Sequence, residues 1–288
     1  MDLPVSRPPR ALVVAAALSL GLGLGSTLAG CGDHSLRGPA SGNDFRPADA
    51  GVLTVATADV PTPGFWEGSA DAPTGGFEYE LARRLAREFG LRGVKVVEVD
   101  FQRLVDDGDL GGADLALAQV TPTPERGEHL DFSQSYLPAP PGVLVRRGTE
   151  VPDAHTAKRL AWVVQQGTTL ESALGDQIRP LDDPQVVEGQ QDVVDAVASG
   201  GAEAGLLDLP TALAVADASG GRLEVAGRLP GDEVLAAALP DGSTNDEAVD
   251  SAIRSLRADG TLDDLAQQWL GQETKDGTPD VQVVHTNA

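Results

Sequence analysis

The residues best placed to do chemistry fall in two short blocks. In Thr121-Pro-Thr-Pro-Glu-Arg126, Thr123 has the type and spacing of a helix N-cap and Pro124 that of a first helical residue. The block therefore sets threonine hydroxyls, unpaired first-turn N–H groups and a guanidinium at the end of the short apolar run 113–119. The second block, Gln165-Gln-Gly-Thr168-Thr169-Leu-Glu171, repeats the arrangement. Thr168 and Glu171 have the spacing of a capping box, and Gly167 permits the tight turn before it. Helix N-termini attract anions through free N–H groups and the helix dipole, and an arginine grips a carboxylate through two parallel hydrogen bonds. The chemistry on offer is anion recognition, not bond making.

The patterns that would carry catalysis are missing. No GxSxG, HExxH or P-loop occurs, His34, His129, His155 and His285 are scattered, and Cys31 is the single cysteine. The run Asp106, Asp107, Asp109, Asp114 lacks the spacing and terminal glutamate of a calcium loop. No metal, cofactor or catalytic residue is expected. Taken singly, Asp208 before Pro210 reads as a helix cap, and Phe65 and Phe101 read as core residues.

Strand and helix patterns alternate around these blocks. Strands are expected at 52–56, 94–99, 113–119 and 142–146, with an amphipathic helix over 77–89 that places Phe77, Leu81, Leu85 and Phe89 on one face. From 160 the alternation begins afresh: strands at 160–165, near Val186, and at 204–207 and 223–226, separated by helices from Thr169, over 192–199 and over 210–216. A strand at 234–238 precedes helices at 245–258 and 261–270. Strands regularly separated by helices imply mainly parallel sheets with helices on both faces, whose ligands sit beyond the carboxyl ends of the strands.

The N-terminus predicts export. Arg7 and Arg10 precede an uncharged apolar stretch ending in Leu28-Ala-Gly-Cys31, as in a secretory leader. The tetrapeptide resembles the lipobox of bacterial lipoproteins, which implies a leader over 1–30, lipidation of Cys31 and a flexible polar tether over 31–50. The net charge of −23 over 288 residues disfavours nucleic acid and anionic membrane surfaces as partners. The polar stretch 272–288 is expected to be a disordered tail.

A wider resemblance rests on Gly75-Gly-Phe-Glu-Tyr-Glu-Leu-Ala82, Ala113-Asp-Leu-Ala-Leu-Ala-Gln-Val-Thr-Pro-Thr-Pro-Glu-Arg126 and Leu130-Asp-Phe-Ser-Gln-Ser-Tyr136. Gln166-Gly-Thr-Thr169, Ala204-Gly-Leu-Leu-Asp208 and Gln268-Trp-Leu-Gly271 continue it in order. Together these stretches resemble family 3 of the bacterial extracellular solute-binding proteins, which serve polar amino-acid ABC transporters.

The resemblance implies an α/β, periplasmic-binding-protein-like type II fold: two lobes, each a mostly parallel sheet flanked by helices, joined by a two-stranded hinge. Lobe 1 would comprise 51–147 and 234–271 and lobe 2 would comprise 148–233, with crossings near Arg146 to Gly148 and Asp232 to Val234. It further implies a monomer at the extracytoplasmic face that passes an amino acid to a permease. Arg126 would hold the ligand α-carboxylate with Thr121, Thr168 and Thr169, and Asp208 the α-ammonium. Phe101 would form one pocket wall, and Phe65 or Trp66 the other. Gln119 stands where many members have glycine, so its side chain would narrow the pocket or reach the ligand. The alternatives are a sensor lipoprotein docking a receptor or kinase, and a dehydratase-like enzyme on the same fold.

Overall fold

The computed structural model describes residues 44–271 and 281–284. The expected leader, Cys31 and most of the tether lie outside the described residues.

The chain begins with β1 (Leu53–Thr57) of the first sheet, a separate two-stranded hairpin of β2 (Glu67–Ser69) and β3 (Ala72–Gly75), then α1 (Phe77–Glu88), β4 (Val94–Glu98), α2 (Phe101–Asp107), β5 (Leu115–Ala116) and β6 (Leu130–Pro138). Its apolar period closes α1 against the sheet: Phe77, Leu81, Ala82 and Leu85 are buried. The second sheet follows: β7 (Pro141–Arg146), α3 (Ala154–Ala157), β8 (Trp162–Gln165), α4 (Thr169–Ala173), β9 (Gln185–Val187), α5 (Gln190–Ser199), β10 (Ala204–Asp208), α6 (Leu209–Ala218) and β11 (Leu223–Arg228). The chain then returns through β12 (Val234–Pro240), α7 (Asp246–Ala258) and α8 (Thr261–Leu270).

The strand orders are β4-β1-β5-β12-β6 and β11-β7-β10-β8-β9. In each sheet one strand opposes the others: β12 runs antiparallel to β5 and β6, and β7 antiparallel to β10 and β11. The chain enters the second sheet by β7 and returns to the first by β12. Apolar clusters cover both faces of each sheet, as expected of strands buried between helices.

The first crossing between sheets lies at Ala139 and Pro140, not near Arg146 to Gly148, because β7 pairs with β10 and β11 and so belongs wholly to the second sheet. The return crossing spans 229–233, close to expectation. The crossings touch: Ala139 N donates to Glu233 O at 2.8 Å and Leu229 N to Pro141 O at 2.8 Å.

Other differences are local. Residues 101–107, unassigned from sequence, form α2, with Asp100 accepting from Arg103 N at 2.9 Å and Gly108 closing it at φ 68°. The helix expected from Pro124 is only a 3-10 turn, Arg126–Glu128. The expected tether is ordered at its end, where Phe45 stacks on Phe89 at 4.1 Å and is 7% exposed. Likewise residues 281–284, expected in a disordered tail, lie along β11: Val283 bridges Arg228 and Val284 is buried in the second sheet's core. The Val284 side chain gains apolar burial there. No helix among the described residues is long and apolar enough to cross a membrane.

Candidate functional site

Both blocks identified in the sequence arrive at one cleft between the sheets. Arg126, Asp208, Thr121, Thr168, Thr169, Phe101 and Gln119 all line it. Phe65 does not. It is fully buried against Phe77, with ring centroids 6.0 Å apart. Trp66 is equally buried, its Nε1 donating to Glu78 Oε2 at 2.7 Å. Phe101 is therefore the one aromatic wall among the described lining residues.

Arg126 is held from three directions. Its backbone N–H donates to Thr123 Oγ1 at 3.2 Å, which is the capping contact foreseen for Thr123 although the helix does not continue. Its Nη1 donates to Thr121 O at 2.6 Å, and Nη2 crosses the cleft to Gly167 O at 3.1 Å. Its Cζ lies 5.7 Å from the Phe101 ring centroid, a cation–π distance. Burial pulls the guanidinium pKa below its ordinary value, against the opposing pull of Asp208, Asp106 and Glu125. An arginine stays charged under such a shift, so the cleft contains a fixed cation with donors to spare.

Asp208 ends β10 and occupies the N-cap position of α6, yet its side chain makes no capping hydrogen bond. The helix-cap reading therefore fails on geometry. The carboxylate is 8% exposed, as is Arg126, and the two do not approach within ion-pair distance. Its pKa is pushed up to about 7, chiefly by burial and then by the neighbouring negative charge of Glu233, with Arg126 pulling the other way. A buried carboxylate without a partner is poised to ionise fully when a cation arrives.

In the second block the spacing of Thr168 and Glu171 does not produce a capping box. Thr168 Oγ1 donates back to Gln165 O at 2.8 Å, and Glu171 Oε2 accepts from Gly167 N at 3.2 Å. The Thr168 hydroxyl thus claims none of the first-turn N–H groups of α4, and Thr169 and Leu170 face the cleft.

Gln119 has φ 54°, the left-handed region that costs a non-glycine residue about 1–2 kcal/mol. Its N–H donates to Glu78 Oε1 at 2.9 Å. Glu78 is fully buried, also accepts from Tyr136 Oη and Trp66 Nε1, and has its pKa raised to about 7 because burial outweighs those hydrogen bonds. The Gln119 side chain bridges the sheets: its Oε1 accepts from Thr211 Oγ1 at 2.7 Å and from Gln190 Nε2 at 3.4 Å.

Asp59, Gln165 and Gln190 also line the cleft; the sequence placed Gln165 in the second block without giving it a ligand contact, and did not single out Asp59 or Gln190. Asp59 lies just past the carboxyl end of β1 at φ 52°, and its Oδ2 accepts from Gln190 N at 3.2 Å and Gln165 Nε2 at 3.4 Å. The strand-end rule pointed to position 59. Gln190 opens α5 immediately after Gly189, a signal visible in the sequence but without chemistry of its own.

Comparison with known proteins agrees with this architecture. Residues 53–272 match the bacterial extracellular solute-binding proteins, family 3. The L-cystine-binding protein TcyJ of Escherichia coli (strain K12) is 26% identical over 228 residues, 78% of this chain and 85% of that one. The arginine-binding protein ArgT of Corynebacterium glutamicum is 31% identical over 240 residues, covering 77% and 75%. Among solved structures, the ancestral amino-acid-binding protein AncCDT-1, a precursor of cyclohexadienyl dehydratase, superposes with a TM-score of 0.66 at 26% identity, covering 76% of this chain and 96% of that one.

Proposed function

Because the chain belongs to the bacterial extracellular solute-binding proteins, family 3, we propose that it captures an amino acid in the cleft between its lobes and delivers it to an ABC importer. One observation carries this reading: Arg126 and Asp208, both buried, come from opposite lobes to the same cleft and leave each other unpaired. A zwitterion has one group for each. Arg126 takes the carboxylate, helped by Thr121, Thr168 and Thr169; Asp208 takes the ammonium; Phe101 supplies the apolar wall.

In this reading the paired crossings at Ala139 and Glu233 form the hinge. Closure depends on ligand because the two charges that hold it sit on different lobes. In the closed arrangement the Arg126 to Gly167 contact spans the cleft, and ligand entry exchanges it for a bond to the ligand. Anchorage through lipidated Cys31 completes the proposal and would keep the cleft near a permease; Cys31→Ser is expected to abolish incorporation of a labelled fatty acid.

The proposal is tested by a thermal-shift screen of the purified protein against the amino acids, since a ligand bound only to the native state raises its melting temperature. Calorimetry on the hits then compares Arg126→Ala, which is expected to weaken binding by about 30-fold or more. An unchanged affinity removes Arg126 from the site.

A further inference from the structure

We infer that the ligand carries a net positive charge, an amino acid whose side chain ends in an ammonium or guanidinium directed at Asp59. This rests on the amino-acid reading above and follows from the charges in the cleft. Arg126 is the sole cation among the described lining residues, and two carboxylates face it, Asp208 and Asp59. A zwitterion neutralises Arg126 and Asp208 one for one, which leaves Asp59 over. Burying a ligand beside an unmatched carboxylate is costly unless the ligand brings the missing charge.

The geometry at Asp59 suits that role. Only its Oδ2 is engaged, by Gln190 N and Gln165 Nε2; Oδ1 accepts no protein hydrogen bond among the described residues. Those two donors fix the carboxylate in place. Asp208 is also buried in the cleft with no hydrogen bond or ion pair among the described residues, so the α-ammonium it takes leaves nothing of a neutral ligand's charge for Asp59.

The mouth of the cleft has the same character. Asp59 and Phe101 line both the cleft and its outer opening, where Glu98, Asp100, Glu188 and Asp192 join them and no lysine or arginine does. Like-signed walls concentrate field lines and draw ligands of the opposite sign.

The test is calorimetric titration of the full-length protein with L-arginine, L-lysine, L-glutamine and L-citrulline, the last a neutral isostere of arginine. Arginine or lysine is expected to bind about 30-fold or more tighter than citrulline. Asp59→Asn should fold, because asparagine adopts the left-handed conformation at least as readily as aspartate. It is expected to bring arginine to within about 3-fold of citrulline, whereas a purely structural Asp59 would weaken both ligands alike and leave their ratio as it was. Tight binding of citrulline or glutamine, with arginine and lysine no tighter, overturns the charge inference and leaves amino-acid capture standing. Failure of all four to bind overturns the charge inference, and amino-acid capture falls with it only if the full thermal-shift screen is also blank.

Discussion

The charge state of Asp208 makes ligand affinity depend on pH in one direction only. With the cleft free of ligand its pKa is pushed up to about 7, mainly by burial, so near neutrality a large share of molecules hold it as the neutral acid. A ligand ammonium requires the carboxylate, so binding selects the ionised form and lowers its pKa. For a group titrating near 7, about 90% is ionised at pH 8 and about 1% at pH 5. Affinity is therefore expected to fall by roughly one to two orders of magnitude between those pH values. The ligand's own carboxylate and ammonium do not titrate in this window, and Arg126 stays charged. Calorimetry at pH 5, 6, 7 and 8, in buffers of different ionisation enthalpy, measures both the affinity and the proton released on binding near pH 6. Asp208→Asn is expected to bind weakly and to flatten the profile. An affinity that is constant or rises toward acid, or binding without proton release, refutes the assignment of Asp208 to the ammonium.

Three further outcomes follow from the same geometry. Gln119→Gly relieves backbone strain and removes the contacts to Thr211 and Gln190; melting temperature is expected to hold or rise. Small-angle scattering should show a more open ligand-free form, and an unchanged radius of gyration denies Gln119 any part in holding the lobes together. Glu78 has a folded pKa of about 7 against an ordinary 4.5, so the folded state binds its proton more tightly than the unfolded chain. Its stabilising contribution is complete below the unfolded value and is lost as pH rises toward 7. The ligand-free melting temperature is expected to fall from pH 5 to 7.5, and Glu78→Gln to reduce that slope; a rise would contradict the burial argument. Phe65→Ala and Phe101→Ala separate core from pocket. The first is expected to cost about 3–5 kcal/mol in denaturant unfolding, and the second to weaken ligand binding with a smaller loss of stability.

The sequence alone determined the alternating strands and helices, the sheets with helices on both faces and the two blocks that bring Arg126 and Thr168 to strand ends; the two lobes came from the family resemblance. Those features are written in local periodicity and in the residue types at turns, and they are set before distant parts of the chain meet. The family resemblance carried Asp208 into the site, where its position at the end of β10 places it at the cleft. Spacing was a weaker guide where a competing partner lay close by: Thr168 and Glu171 have capping-box spacing, but the hydroxyl finds Gln165 O and the carboxylate finds Gly167 N.

Only the tertiary structure decided the rest, because the deciding contacts join residues far apart in the chain. Phe65 and Phe101 are the same residue type, and what assigns one to the core and the other to the pocket is the set of neighbours brought to each by folding. Asp59 becomes part of the site through Gln190, 131 residues away, and Gln119 through Thr211, 92 residues away. The crossing at Ala139 escaped notice for the same reason: β6 and β7 are consecutive extended segments, and only their pairing with β12 and β10 assigns them to different sheets. Local pattern says what an element is; non-local burial and pairing say what it touches.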